Sequence, residues 1–159
     1  MKLRNVEVYL QKKFDKNFKF EDNRNNPIPL SKLKKDLSQT TVALVSSGGL
    51  YHQSDLAFDT DLNLGDTSFR MLKKDVSFEE VKIAHTHYDH KFALEDMNVV
   101  MPLDPLKALA AEKTIGQVAD HHYSFSGFIL DLDLFKRQIN SISSQLKADG
   151  VDIVILGPA

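Results

Sequence analysis

The sequence predicts an α/β fold, in which a mostly parallel open sheet is flanked by helices on both faces and so forms three layers. Two apolar, β-branched runs of strand length, "TVALVSS" at 41–47 and "VDIVIL" at 151–156, are typical of strands buried on both faces. Helical patterns alternate with strand candidates in the second half of the chain, as in βαβ units. No helical pattern follows 151–156, so we expect the sheet to lack its last covering helix.

Composition limits the class of protein. The chain has 159 residues, of which 42% are hydrophobic and 26% charged, and its formal net charge is −2. These values indicate a globular domain and give no electrostatic basis for binding nucleic acid or an anionic membrane. No apolar run approaches the roughly 20 residues that span a bilayer, and the polar N-terminus lacks a signal core, so we expect a cytoplasmic protein. Cysteine is absent, which excludes disulfides and thiolate sites within these residues.

The chain is expected to begin with an N-terminal arm at 1–30, with or without a short helix, followed by a single α/β domain at 31–159. The arm ends in the loop-like stretch "EDNRNNPIPL", where two X–Pro steps disfavour helix. Ser31 is a candidate cap for a short helical turn at 32–39.

Strands and helices follow in the domain. Glycines end the first strand, and the long polar stretch at 51–80 is predicted to have little regular structure beyond an edge strand around "SFRML". Two further strands are predicted at 81–86 and 98–103, the latter stopped by a proline. Helices are predicted at 103–116 and at 130–150, each closed by a glycine, with Asp104 capping the first of them.

The stretch "HTHYDH" at 85–90 is the strongest candidate for a functional cluster. Alternate side chains of an extended segment point the same way, so His85, His87 and Asp89 are expected to converge, with His90 beside them. Imidazoles bind ligands and transfer protons near neutral pH. We therefore predict that these four residues are catalytic and act without a metal.

Two alternatives remain open for this cluster. Imidazoles and a carboxylate suit zinc or iron, and the HxHxDH pattern is similar to that of metallo-β-lactamase-like hydrolases, although that fold needs a longer chain with two stacked sheets. A metal-dependent hydrolase with His85, His87, Asp89 and His90 as ligands is the alternative function. In the plainer alternative, the same side chains hydrogen-bond one another at the end of a strand.

The turn "SSGG" after the first strand is a second candidate site. It consists of Ser46, Ser47, Gly48 and Gly49, and the exposed backbone N–H groups of such a turn can hold a carboxylate or phosphate. A plain turn explains the same residues equally well. His122, in "ADHHYSF", is a further candidate for substrate binding.

Several motifs in order resemble selenoprotein B of the glycine, sarcosine, betaine and D-proline reductases. They are "VALVSSGGLYHQSDLAFD", "GDTSFR", "HTHYDH", "NVVMPLDPLKALAAEKTIG", "HHYSFSGF" and "VDIVILGPA", which together cover roughly residues 27–159. The resemblance implies an oxidoreductase subunit that cleaves the C–N bond of an amino acid or amine. It also implies a selenocysteine-x-x-cysteine motif just after the strand similar to "VDIVILGPA", and a partner subunit whose pyruvoyl group captures the substrate amine.

The sequence departs from this pattern at Ala159, its last residue, where the resemblance places selenocysteine next. We therefore expect a truncated and inactive form with exposed apolar surface and a tendency to form homo-oligomers. Because sites of open parallel sheets gather at the carboxyl ends of strands, the "SSGG" turn, the histidine cluster and the terminal "GPA" are expected on one rim. A non-enzymatic scaffold that binds a partner through residues 50–80 is the remaining alternative.

Overall fold

The structure, a computed structural model, describes residues 3–13, 16–20, 24–27 and 31–159. The chain divides into two compact units, residues 1–32 and residues 33–159. The first unit contains helix α1 (Leu3–Lys13). Most of the loop predicted at 21–30 lies outside the described residues, and the division into an arm at 1–30 and a domain at 31–159 stays a prediction.

The larger unit is built around a five-stranded sheet. The described strands of this unit are β1 (Thr41–Ser46), β2 (Leu50–His52), β3 (Phe69–Lys73), β4 (Val81–Ile83), β5 (Gln117–Val118), β6 (His121–Phe125) and β7 (Ile153–Gly157). All of them except β2 and β4 belong to the five-stranded sheet. β1 is central: β5 and β6 pair parallel along one of its sides and β7 along the other. β3 runs antiparallel to β6 at the edge. The mostly parallel sheet and the edge strand at "SFRML" are therefore confirmed.

Helices cover both faces of this sheet. The larger unit contains α2 (Lys91–Glu95), α3 (Leu103–Ala111) and α4 (Leu132–Ala148). Side chains alternate along β1, so Val42 and Leu44 pack with the cluster that includes Leu106 of α3, whereas Val45 packs with the cluster that includes Ile142 of α4. This arrangement confirms the predicted three-layer α/β class.

The sheet is interrupted between β5 and β6. Val42 pairs with Val118, and Val45 pairs with Tyr123. The two pairs are three residues apart along β1 but five residues apart along the segment of β5 and β6, so that segment has two extra residues. Ala119 N donates to Val42 O (2.9 Å), and Leu44 N donates to the Nδ1 atom of His122 (3.0 Å). An imidazole nitrogen thus replaces a backbone acceptor where the extra residues break the ladder.

The chain leaves the main sheet directly after β1. β2 and β4 form a separate two-stranded antiparallel sheet, extended by a hydrogen bond from Ala84 N to Gly49 O (2.9 Å). The strand predicted at 81–86 is therefore shorter than expected and does not belong to the parallel sheet. Val81 and Ile83 pack against the core on the α3 side, and an apolar run satisfies that position as well as it satisfies a place in the parallel sheet.

The prediction of a strand at 98–103 is wrong. Met97–Val99 form a 3₁₀ turn, capped by the Asp96 side chain, and α3 begins at Leu103. The apolar residues of this stretch, among them Met101, are buried in the core without strand pairing. A short buried run has no periodicity that separates a strand from a compact turn.

The predicted ends are wrong for α3, and the predicted glycine turn after α4 is confirmed. α3 ends at Ala111 and not at 116, and Asp104 does not cap it, because the helix already begins at Leu103 and its N-cap position is Pro102. α4 is capped by Asp131, which accepts from Leu134 N (2.9 Å), and the chain turns at Gly150 as predicted. The short turn at 37–39 has no side-chain cap, so Ser31 does not cap it.

β7 carries the most exposed apolar residues of the sheet. Its only partner among the described residues is β1, and Leu156 is 72% exposed, with Val154 and Ile155 also exposed. Self-association of the chain stays a prediction. No helix in the described part of the chain is long and apolar enough to cross a membrane.

Candidate functional site

A small cleft lies where four turns of the larger unit meet. It has a volume of about 170 Å³ and is lined by Ser47, His85, His87, Gly127, Phe128 and Ala159. These residues follow β1, β4, β6 and β7. The "SSGG" turn, the histidine cluster and the terminal "GPA" therefore come together as the sequence predicts, with the addition of the turn after β6.

Hydrogen bonds from backbone N–H groups join these turns to one another and hold the "SSGG" turn in its shape. Ser47 N donates to Gly157 O (3.0 Å), and Ala159 N donates to Ser47 Oγ (3.0 Å). Gly49 N donates to Phe125 O (3.0 Å), and Gly48 N donates to Ser46 Oγ (3.1 Å).

These bonds correct the predicted role of the "SSGG" turn. The amide groups of Ser47, Gly48 and Gly49 each donate within the protein, so they are not free donors for a carboxylate or phosphate. Ser46 is buried and uses its hydroxyl on the turn itself. What remains at the cleft is the Ser47 hydroxyl, since its oxygen accepts from Ala159 and its proton is left for a ligand.

His85 is the buried polar group of the cleft. It is only 7% exposed, and its Nδ1 accepts the backbone N–H of His87 (3.0 Å), which leaves the ring proton on Nε2. Nε2 lies 3.1 Å from the point where a Cβ at position 127 would stand, so only glycine leaves it open. Burial lowers the pKa of His85, and neighbouring His87 and His90 lower it further. His85 is therefore a neutral imidazole that presents an N–H donor.

His87 forms an exposed wall of the cleft with Phe128. The two rings stack in parallel, with centroids 4.0 Å apart and planes inclined by 8°. Nδ1 of His87 lies 3.0 Å from the hydroxyl of Thr86. The cleft therefore has a flat aromatic side next to the donor of His85.

Tyr88 connects the histidine cluster to the "SSGG" turn, a role that sequence reasoning missed. Its hydroxyl donates to Gly48 O (3.0 Å), and its ring lies edge-on between His85 (4.9 Å) and His90 (4.5 Å). Burial raises the pKa of the Tyr88 hydroxyl. Its position inside "HTHYDH" is the one signal that the sequence offers.

Asp89 and His90 do not line the cleft. Asp89 is exposed, and its carboxylate accepts from the N–H of Lys91 (3.0 Å), the first residue of α2. His90 precedes that helix, and its Nε2 is buried without a hydrogen-bond partner among the described residues. His85 and His87 converge on the cleft as expected, but Asp89 does not, because the bond from His87 N to His85 folds the segment into a bend.

The geometry gives no support to the metal-site alternative. In the described part of the chain, no group of three or more His, Asp or Glu side chains is arranged to hold a metal ion. His85 uses Nδ1 on a backbone amide and Asp89 uses a carboxylate oxygen at a helix start.

His122 lies inside the sheet and away from the cleft. It is fully buried, and its Nδ1 accepts from Leu44 N. Burial, and then the positive charge of Lys107 and neighbouring His121, lower its pKa to about 4. Its predicted role in substrate binding has no geometric support from this position.

A larger cleft, of about 440 Å³, lies beside the short sheet of β2 and β4. It includes His52, whose Nδ1 is 2.7 Å from Ser54 Oγ and whose Nε2 is 3.7 Å from Glu80. The serine contact is made within one turn, and none of the residues predicted from the sequence lies there. The smaller cleft is therefore the candidate site.

Known proteins with similar sequences are named as reductase subunits. The chain is 35% identical to D-proline reductase subunit gamma of Acetoanaerobium sticklandii, over 77% of this chain and 50% of that subunit. It is 33% identical to glycine reductase complex component B subunit gamma of Carboxydothermus hydrogenoformans, over 81% of this chain and 30% of that subunit. For sarcosine reductase complex component B subunit beta of Peptoclostridium acidaminophilum the identity is 31%, over 81% and 30%.

The chain thus spans half or less of the length of these relatives. No solved structure matches it. The family model described as glycine/sarcosine/betaine reductase selenoprotein B matches residues 2–159. That match covers nearly the whole chain and confirms the resemblance noted in the motifs: the chain belongs to the glycine/sarcosine/betaine reductase selenoprotein B family.

Proposed function

We propose that this chain forms part of the active site of a reductase subunit that cleaves the C–N bond of a small amine or amino acid. Its relatives are named as subunits of glycine, sarcosine and D-proline reductases, which supports the class of reaction. The observation that carries the proposal is the cleft shared by Ser47, His85, His87 and Ala159. It lies at the carboxyl ends of β1 and β7, the end of a parallel sheet where ligands bind.

The cleft suits a small polar substrate. Its volume of about 170 Å³ is below the range of roughly 300–1,000 Å³ that drug-sized ligands occupy. Among the described residues that line it, none is Asp, Glu, Lys or Arg. Recognition therefore depends on neutral donors, namely Nε2–H of His85 and the hydroxyl of Ser47.

The position of Ala159 suits the reactive group that the family implies. A residue bonded to its carbonyl carbon in a longer polypeptide would stand close to Ser47, which accepts the Ala159 amide, and to His85 across the cleft. A selenocysteine or cysteine at that place supplies the nucleophile, and a pyruvoyl group on a partner subunit supplies a carbonyl for the substrate amine.

The residues of this chain then have separate roles. His85 donates a hydrogen bond from Nε2 to a selenolate or thiolate, which stabilises the charged form. The nucleophile would bond to the substrate carbon as the C–N bond breaks, and the electron pair of that bond goes to nitrogen. His87 provides the proton with which the amine leaves, and a dithiol supplies the two electrons of the reduction. Ser47 holds the backbone at Ala159 in place.

Turnover by the native reductase complex that contains this chain tests the proposal. Glycine, sarcosine, betaine and D-proline serve as substrates, with a dithiol as reductant. The signal is the product of C–N cleavage, which is ammonia or a free amine for the first three and a ring-opened amino acid for D-proline. His85→Gln removes the imidazole donor and is expected to lower kcat by about 100-fold, the usual loss for such a group. His52→Gln is the matched control, since His52 lines the other cleft, and it should leave kcat unchanged.

Two results contradict the proposal. One is a wild-type complex that reduces none of the four substrates. The other is an equal loss of kcat in the His85 and His52 variants, which would mean that the cleft has no special part in turnover.

A further inference from the structure

We propose that Gly65 is a positioning residue for the cleft, because it lets the 56–68 loop press against the backbone of Phe128 and so sets the stacked Phe128–His87 pair. The proposal rests on the proposed function only in treating the cleft as the active site. The contact itself, and its spectroscopic test, do not depend on the reaction.

Arg70 fastens the start of the 56–68 loop to β3. Its Nε donates to Leu56 O (2.6 Å) and its Nη2 donates to Ala57 O (3.2 Å). The guanidinium group also lies 4.4 Å above the ring of Phe58, which is 3% exposed. This stretch, predicted to have little regular structure, is therefore held against the sheet by charge-assisted hydrogen bonds.

Asp66 fastens the other end of the loop. One carboxylate oxygen accepts from Asp59 N (2.9 Å), and the other accepts from Ser68 N (2.8 Å). Partial burial opposes ionisation of Asp66, but the hydrogen bonds from Ser68 and Asp59 outweigh it, so that the pKa of Asp66 is lowered. An ionised carboxylate with several donors holds a loop in one conformation.

Gly65, between these two anchors, touches the segment that borders the cleft. It has a φ of +80°, and a Cβ at this position would overlap the carbonyl oxygen of Phe128 and stand 3.0 Å from Ile129 Cα. Beside it, Leu130 N donates to Leu64 O (2.8 Å). The loop thus packs directly on the backbone of 128–130 with no space for a side chain.

The contact reaches the cleft through a single residue. The Phe128 carbonyl lies against Gly65, and the Phe128 ring stacks on His87 at 4.0 Å. A methyl group at position 65 forces the loop and the Phe128 backbone apart. Because Arg70 and Asp66 hold the loop, Phe128 is the side that moves, and with it the wall that Phe128 and His87 form. Displacements of about 1 Å at an active site are large enough to reduce turnover by about 100-fold.

The test compares Gly65→Ala with Gly150→Ala. Gly150 has a similar φ of +69°, but a Cβ there would have nothing within 4 Å, so the control shares the backbone strain without the contact. NMR of the histidine ring protons in this chain reports the stack, because the Phe128 ring shifts the His87 signals upfield. Gly65→Ala should abolish that upfield shift, and Gly150→Ala should leave it unchanged.

A second variant keeps the test decisive if Gly65→Ala does not fold. Arg70→Gln removes the charged anchor of the loop, lies outside the cleft lining, and should reduce the same upfield shift partially. An unchanged His87 signal in a folded Gly65→Ala protein, or in Arg70→Gln where Gly65→Ala does not fold, overturns the proposal.

Turnover by the native complex separates this inference from the proposed function. If both are right, Gly65→Ala lowers kcat and Gly150→Ala does not. A moved His87 signal in a complex that reduces none of the substrates would leave the positioning contact standing and would refute the function alone.

Discussion

His85 at the cleft and His122 inside the sheet make the same backbone contact in opposite surroundings. In each, Nδ1 accepts an N–H at 3.0 Å, from His87 and Leu44 respectively. Nε2 of His85 faces the cleft, whereas Nε2 of His122 is buried without a partner in the described part of the chain. The contact at Nδ1 sets the tautomer, but the surroundings of the second nitrogen decide whether a histidine can meet a ligand.

The same difference appears in the protonation of the two rings. Burial is the first cause of the lowered pKa in both, and the pKa of His122, which is fully buried, falls to about 4. His85 lines the cleft and keeps access to a ligand. We therefore expect His122 to dominate the pH dependence of stability and His85 to dominate catalysis.

The largest expected effect is the dependence of stability on pH. The pKa of His122 in the folded chain, about 4, lies below its ordinary value of 6.5. Between these two pH values the unfolded chain binds a proton at His122 that the folded chain does not bind. The contribution of His122 to the free energy of unfolding is complete above pH 6.5. The free energy of unfolding should fall by about 3 kcal/mol as the pH drops from 6.5 to 4. Urea unfolding across this range measures the slope.

An equal reduction of this slope by His85→Gln and by His122→Asn would contradict the assignment of the slope to His122. His122→Asn is expected to remove most of it, because the group that titrates is then absent. Asp66 and the other carboxylates with lowered pKa values lose their contribution only at lower pH, below their ordinary value of 3.8.

The next effect concerns the backbone contact of His122. At about pH 8, where the imidazole is neutral in both states, His122→Leu leaves Leu44 N–H buried without an acceptor and should lower the free energy of unfolding by about 1–3 kcal/mol. His122→Asn keeps an acceptor atom near the position of Nδ1 and should cost less. Equal losses in the two variants would show that the hydrogen bond to Leu44 has no special weight.

The smallest effect is expected at Tyr88. Tyr88→Phe removes the hydrogen bond to Gly48 O but keeps the ring between the histidines, so the free energy of unfolding should fall by about 0.5–1.5 kcal/mol. The pH slope should stay as in the wild type, since Tyr88 does not titrate in that range. A changed slope would mean that Tyr88 shapes the surroundings of His85, which would sharpen the comparison of the two histidines.

Local signals in the sequence were sufficient for several elements. The continuous β-branched run at 41–47 predicted β1, and the helical pattern at 130–150 predicted α4, which buries Ile142 and Leu146. The predictions failed at 81–86 and 98–103, where short apolar runs are buried without that periodicity.

The candidate site was predictable in part. The carboxyl-end rule predicted that Ser47 and Ala159 lie together, because β1 and β7 belong to the parallel sheet. His85 joins them although β4 lies outside that sheet, since Ala84 N donates to Gly49 O in the turn after β1. Phe128 and Gly127 were not found, because nothing in "HHYSFSGF" separates a ring that packs in the core from one that stacks on His87. Asp89 was misplaced because the prediction assumed an extended segment, and the Nδ1 contact of His85 bends it.

By itself the sequence determined the α/β class, the family and the residues from which a site could be built, since periodicity and ordered motifs are properties of neighbouring residues. Only the tertiary structure decided which histidine meets the cleft, which one completes the sheet, and that Gly65 packs on Phe128. Those outcomes depend on atoms that are distant along the chain, such as Leu44 and His122, and no local pattern records which backbone groups will lie opposite them.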